Sequence, residues 1–172
     1  MGNTSSTTVL LYVAIAAFVF WRVILKQLAG STLSARSLWL IPVILLAIGG
    51  SSTLNALPTA GGTEIALLGA DLVVLTVLGV IRGGSVALST RDGFAFQKGT
   101  ALTLILWLVT IGVRVGFGVL GSQLDASGPL TSASIWLSVG LSIGIQNAVI
   151  YARVRNLGLA VAADRQTARV DR

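Results

Sequence analysis

Five apolar stretches, each close to the length needed to cross a bilayer, follow one another along this chain with short polar joints between them. They run over about 8–25, 37–57, 63–81, 100–120 and 131–152. A helix rises about 1.5 Å per residue, so roughly 20 apolar residues match a hydrocarbon core of about 30 Å. At that depth every backbone N–H and C=O must be satisfied inside the protein, which makes each stretch a helix. With 54% hydrophobic and 10% charged residues and a mean hydropathy of +0.89, an ordinary soluble globule is excluded. The expectation is an all-α polytopic membrane protein with five transmembrane helices in residues 1–155. A cytoplasmic tail, 156–172, is mixed in charge and read as frayed or disordered.

Charge sets the orientation. Arg22, Lys26 and Arg36 fall between spans one and two, Arg82, Arg91 and Lys98 between three and four, and Arg153, Arg155, Arg165, Arg169 and Arg172 after span five. The joints on the other side carry no lysine or arginine. The positive-inside rule then puts the amino terminus outside and the carboxyl terminus in the cytoplasm. Because the basic residues of the first span follow its apolar run, it reads as a retained helix and not as a cleaved signal peptide. Trp21, Trp39 and Tyr151 fall at the inner interface and Tyr12 and Trp136 at the outer one, as aromatic belts. Ten arginines against two lysines suit a GC-rich bacterial source, so the expected location is the cytoplasmic membrane.

Two ionisable residues stand inside spans, where such side chains are costly and mark functional positions. Asp71 lies seven residues inside Glu64, and Arg114 six or seven residues before the end of its span at Leu120 to Gly121. Each is therefore about 10 Å below the outer edge of two antiparallel neighbours, the level at which they can pair. Pairing spares the bundle an unpaired buried charge. The pair either fixes the packing of two helices or forms part of a polar site.

The second span leaves two readings open. Only Leu38 to Ile48 is densely apolar, and Gly49-Gly50-Ser51-Ser52-Thr53-Leu54-Asn55 follows, with Pro42 in the first half. One reading is a short helix ending near Ile48 with an external loop through Gly62. The other is a broken helix beside an internal cavity. If the span is continuous, Ser51, Ser52, Thr53 and Asn55 come to the level of Asp71 and Arg114 as a polar layer. Between spans three and four, Asp92-Gly93 signals a short cytoplasmic β-hairpin. A three-residue loop would pair Thr90 with Phe94, Leu88 with Phe96 and Val86 with Lys98, putting both phenylalanines on one apolar face with Val86 and Leu88.

Small residues repeat every four positions in span five, at Gly140, Gly144, Ala148 and Ala152, with Ser134, Ser138 and Ser142 as a second stripe; Gly112 and Gly116 flank Arg114 with the same spacing. Such stripes let helices approach closely, within the bundle or between copies and partners. Gln146 and Asn147 read as interhelical hydrogen-bonding groups.

The chemistry available is narrow. The chain has no cysteine and no histidine, so disulfides, thiolate metal sites and imidazole ligation are excluded, and no cofactor is expected. A net charge of +6 is spread over the ends of apolar segments and forms no stripe, which argues against nucleic acid. No nucleophile with a base, paired-carboxylate site or phosphate loop is present, so an enzyme is not expected.

The block Leu78-Gly79-Val80-Ile81-Arg82-Gly83, followed by Asp92-Gly93, Gln97-Lys98-Gly99, Leu106-Trp107-Leu108 and Val113-Arg114, resembles the CcdC-like family of small bacterial membrane proteins. The likeness covers spans two to five loosely and the hairpin region more closely. It implies a small multi-pass protein associated by name with cytochrome biogenesis, although this chain lacks the cysteine or histidine for direct haem or thiol chemistry.

Two functions remain in view. One is a non-catalytic accessory or assembly protein, with the lipid bilayer, a membrane-protein partner or a second copy as its contacts. The other is a small permease or ion-coupled carrier subunit with a polar site in the outer third of the bundle. The orientation is directly testable because the chain has no cysteine of its own. In intact cells Gly61→Cys should react with an impermeant thiol reagent and Asp92→Cys should not; labelling of Asp92→Cys from outside would overturn the five-span assignment.

Overall fold

The computed structural model describes residues 30–161 except Asp92 and Ser127. The expected first span, 8–25, and the tail beyond residue 161 lie outside the described residues. Within them are four long helices: α1 (Ala35–Ala56), α2 (Gly62–Ser85), α3 (Ala101–Gln123) and α4 (Pro129–Asn156). All four are long and apolar enough to cross a membrane, which makes this a multi-pass membrane protein in contact with the bilayer. A three-stranded antiparallel sheet of β1 (Ser31–Thr32), β2 (Ala87–Arg91) and β3 (Phe94–Lys98) joins them at one end, in the order β1-β3-β2.

Helix α1, the second of the expected spans, corrects both readings of that stretch. It runs unbroken from Ala35 through Pro42, Gly49 and Gly50 to Ala56, and one 3₁₀ turn, Leu57–Thr59, completes it. Neither a stop at Ile48 nor a break is present. Gly49, read with Gly50 as a helix weakener, serves close packing: a Cβ there would lie 2.5 Å from Leu137 Cα and 2.6 Å from the Trp136 carbonyl carbon, both on α4. Burial against α4 outweighs the ~1 kcal/mol helix cost of a glycine. Gly140 answers from the other side, where a Cβ would meet Leu45 Cβ at 2.9 Å, and Gly144 stands over Pro42.

Helix α4 is thus the centre of the bundle, with α1 and α2 packed along it and α3 packed on α2. Gly83 gives α2 the same close approach, since a Cβ there would lie 2.7 Å from Val149 Cβ. Arg153 of α4 donates to the Gly83 and Val86 carbonyls at 2.9 and 2.8 Å and so closes the end of α2, where helix carbonyls lack partners. Trp39 and Tyr151 meet edge to face at that same end, with centroids 6.4 Å apart.

The hairpin is present, but its register differs from the expected one. Arg91 pairs with Phe94, Thr90 with Ala95, Ser89 with Phe96, Leu88 with Gln97 and Ala87 with Lys98, which leaves a two-residue turn with Gly93 at φ +80°. The buried face is built on Ala95, 0% exposed, beside Leu33, Leu38, Val86, Ile150 and Val154, with Leu88 packed against them. Phe94 is 42% exposed, and Phe96 lies under the Arg91 guanidinium at 5.5 Å. The reason is crowding. Ala95 donates to the Ala160 carbonyl at 2.7 Å and accepts from Leu33 N–H at 2.9 Å, so chain closes over it and only a small side chain fits. Residues 157–161 are accordingly not frayed: Leu159 and Val161 pack on this core.

Paired substitutions test the packing. Gly49→Ala should lower thermal stability by about 1–3 kcal/mol through overpacking against backbone. Gly50→Ala, with open space around it, should leave stability unchanged or raise it in the same unfolding assay.

Candidate polar site between α2, α3 and α4

Asp71 falls mid-way along α2 and Arg114 mid-way along α3, and the antiparallel packing of the two helices puts them level. Arg114 Nη1 donates to Asp71 Oδ2 at 2.6 Å. Asp71 is 1% exposed and Arg114 23%. The serine stripe of α4 completes the layer: Ser138 Oγ donates to Asp71 Oδ2 at 2.7 Å. Arg114 Nη1 reaches Ser138 Oγ at 3.4 Å, and Nη2 reaches the Thr131 carbonyl at 3.4 Å and Ser134 Oγ at 3.5 Å. A guanidinium fork with this many acceptors is held in one orientation.

Two carboxylate oxygens remain over. Asp71 Oδ1 and Glu64 Oε2 are buried and have no hydrogen-bond partner among the described residues. Both residues line, with Arg114, a cavity of about 210 Å³ whose walls are otherwise mostly apolar, including Leu67, Leu68, Phe117 and Ile135. Glu64, in the first turn of α2, lies against Gly128, the residue that opens α4. A Cβ on Gly128 would stand 2.7 Å from Oε2 and nearer still to Oε1. The carboxylate therefore sits at the positive end of the α4 dipole.

The other residues expected in this layer do not join it. Ser51 is exposed and its hydroxyl bonds to the Ile48 carbonyl of its own helix at 2.9 Å. Asn55 is exposed, Ser52 half-buried, and Thr53 buried with its hydroxyl unpartnered. Among the described residues none of the four bonds to Asp71 or Arg114, because α1 packs on the opposite flank of α4 from α2. Of the small-residue positions, Gly140 and Gly144 are taken up by α1, while Gly112 and Gly116 have open space beside them.

A second buried cation was not expected. Arg82, read as an end-of-span charge, is 0% exposed and points into the bundle. Its Nε donates to Gln146 Oε1, Nη1 to Thr110 Oγ1 at 3.2 Å, and Nη2 to Ser142 Oγ and the Ser142 carbonyl at 3.0 and 3.3 Å. The guanidinium stacks on Trp107, 4.0 Å from the ring centroid. No carboxylate pairs with it among the described residues. A further cavity of about 160 Å³, lined by Trp107, Thr110, Ser142, Arg114 and apolar side chains, separates the two arginine layers. The signal was in the sequence: Ser134, Ser138, Ser142 and Gln146 are spaced by four and form one polar seam on α4.

Among the described residues no group of three or more carboxylates gathers as a metal site. Comparison with known protein families, with curated proteins and with solved structures finds no match.

The ion pair can be weighed by a double-mutant cycle in thermal unfolding. Asp71→Asn and Arg114→Gln should each destabilise, and the double variant should recover part of the loss, with a coupling up to about 3 kcal/mol. A double variant no better than the sum of the singles would show that the two charges do not stabilise each other.

Proposed function

We propose that this chain is a small permease or carrier subunit of the bacterial cytoplasmic membrane that binds a small solute in the cavity at Asp71 and Arg114. The observation that carries the reading is the pair of buried carboxylate oxygens, Asp71 Oδ1 and Glu64 Oε2, left without donors beside that cavity. A carboxylate serving only to hold two helices would be expected to have both oxygens satisfied, since each unpaired buried acceptor costs about 1–3 kcal/mol. A cavity lined by few polar groups and many apolar ones is also the usual form of a small-molecule site. With the amino terminus outside, the cavity belongs to the outer half of the bundle and the sheet to the cytoplasmic face, in keeping with the side on which the basic residues gather.

A second reading, an accessory or assembly protein without a solute of its own, keeps one support: Gly112 and Gly116 leave a smooth face on α3 that no described residue fills. Solvent access separates the two. Ser134→Cys places a thiol in the cavity wall of a protein with no other cysteine. Under the carrier reading it should react with a small impermeant methanethiosulfonate reagent added outside. Failure to react, with Gly61→Cys labelled in parallel, would favour the accessory reading.

A further inference from the structure

We infer that the outer cavity takes a monovalent ammonium ion with a small apolar body; this rests on the carrier reading and names its solute class. The charge balance is the first ground. Glu64, Asp71 and Arg114 line one cavity, two negative groups against one positive, so the cavity has one negative charge in excess. The amino terminus of α4 offsets about half a charge at Glu64; in a low-dielectric interior the remainder is costly, and a bound cation would neutralise it.

The hydrogen-bond inventory is the second. Both terminal nitrogens of Arg114 are committed to Asp71, Ser138, Ser134 and Thr131. The buried side-chain atoms of this cavity left without a partner are acceptors, Asp71 Oδ1 and Glu64 Oε2. An anion would face two carboxylates and a guanidinium whose terminal nitrogens are already occupied. A ligand carrying N–H donors supplies what the site lacks, and a primary ammonium carries three.

The walls are the third. Leu67, Leu68, Val115, Phe117 and Ile135 suit a hydrocarbon body and do not suit a bare metal ion, which needs several oxygen ligands at once. A volume of about 210 Å³ restricts that body to a small one. Glu64 and Asp71 are seven residues apart, about 10 Å along the helix axis, so the ammonium group belongs at Asp71, with Glu64 nearer the end of the bundle adding its charge.

The test uses the full chain in detergent or lipid nanodiscs with four probes read by titration calorimetry: n-butylammonium chloride, tetramethylammonium chloride, sodium butyrate and butan-1-ol. Saturable binding is expected for n-butylammonium alone. Glu64→Gln, which leaves the Asp71 and Arg114 pair intact, should weaken it about tenfold by removing the excess negative charge of the cavity. Asp71→Asn should abolish it, and Glu64→Gln keeps the test decisive if Asp71→Asn does not fold. Equal binding of tetramethylammonium, which has no N–H, or binding of butyrate or butanol in place of butylammonium, would overturn the ammonium assignment while the solute reading stands. No binding of any probe overturns it as well; the labelling of Ser134→Cys then decides whether the carrier reading falls with it.

Discussion

A guanidinium inside a membrane bundle must find acceptors there, and in this protein helix α4 supplies them for two. Ser134, Ser138, Ser142 and Gln146 stand on successive turns of one face, serving Arg114 from α3 and Arg82 from α2. The seam also explains the order of the bundle. A helix that donates hydroxyls on one flank can accept close backbone contact on the other, and α4 does so through Gly140 and Gly144 against α1. The apolar surface of the four helices is left for lipid, which offers no drive for helices to associate. Packing of small residues and this polar seam therefore carry the specificity of the fold.

The two arginine layers differ in kind. Arg114 has a carboxylate partner, and the excess at its layer is of acceptors and negative charge. Arg82 has neutral partners and an aromatic face, and Trp107 Nε1 beside it is buried without an acceptor among the described residues. Asp71 and Arg82, the fully buried charges among the described residues, are opposite in sign but stand eleven residues apart on α2, so they balance only along the helix and not within either layer. Hydrogen bonds alone leave the field between the layers uncancelled.

Much of this was legible in the sequence. Apolar length located the four described helices, and the rise per residue put Asp71 and Arg114 level before any coordinates did. The hairpin was visible in Asp92-Gly93. Three features were not legible, for separable reasons. Gly49-Gly50-Ser51-Ser52 reads as a helix end by propensity, and only the nearness of α4 makes it helix. The hairpin register was assigned by giving the buried face to the largest side chains, whereas the crossing of residues 157–161 demands the smallest, Ala95. Arg82 was read from its place at the end of a span, because a sequence does not reveal which way a terminal arginine turns; the spacing of Ser142 and Gln146 was the available clue.

Helix α3 is the least buried of the four, yet both its ends are tied. At one end the Thr100 hydroxyl donates to the Ser85 carbonyl at 3.0 Å and caps α3 with Thr103; at the other, Ala126 N–H returns to the Gly121 carbonyl at 2.8 Å. Between these anchors its polar links to α4 run through Arg114. Arg82 of α2 also holds Thr110 and Trp107 of α3, so of the two mid-length latches on α3 Arg114 is the one that lines the cavity at Asp71, which makes it a sensor. Whatever competes for Asp71 also loosens α3 from α4, and the wall shared by the two cavities moves with it. Arg114 and Val115 line both cavities, so the two are tied through this one contact.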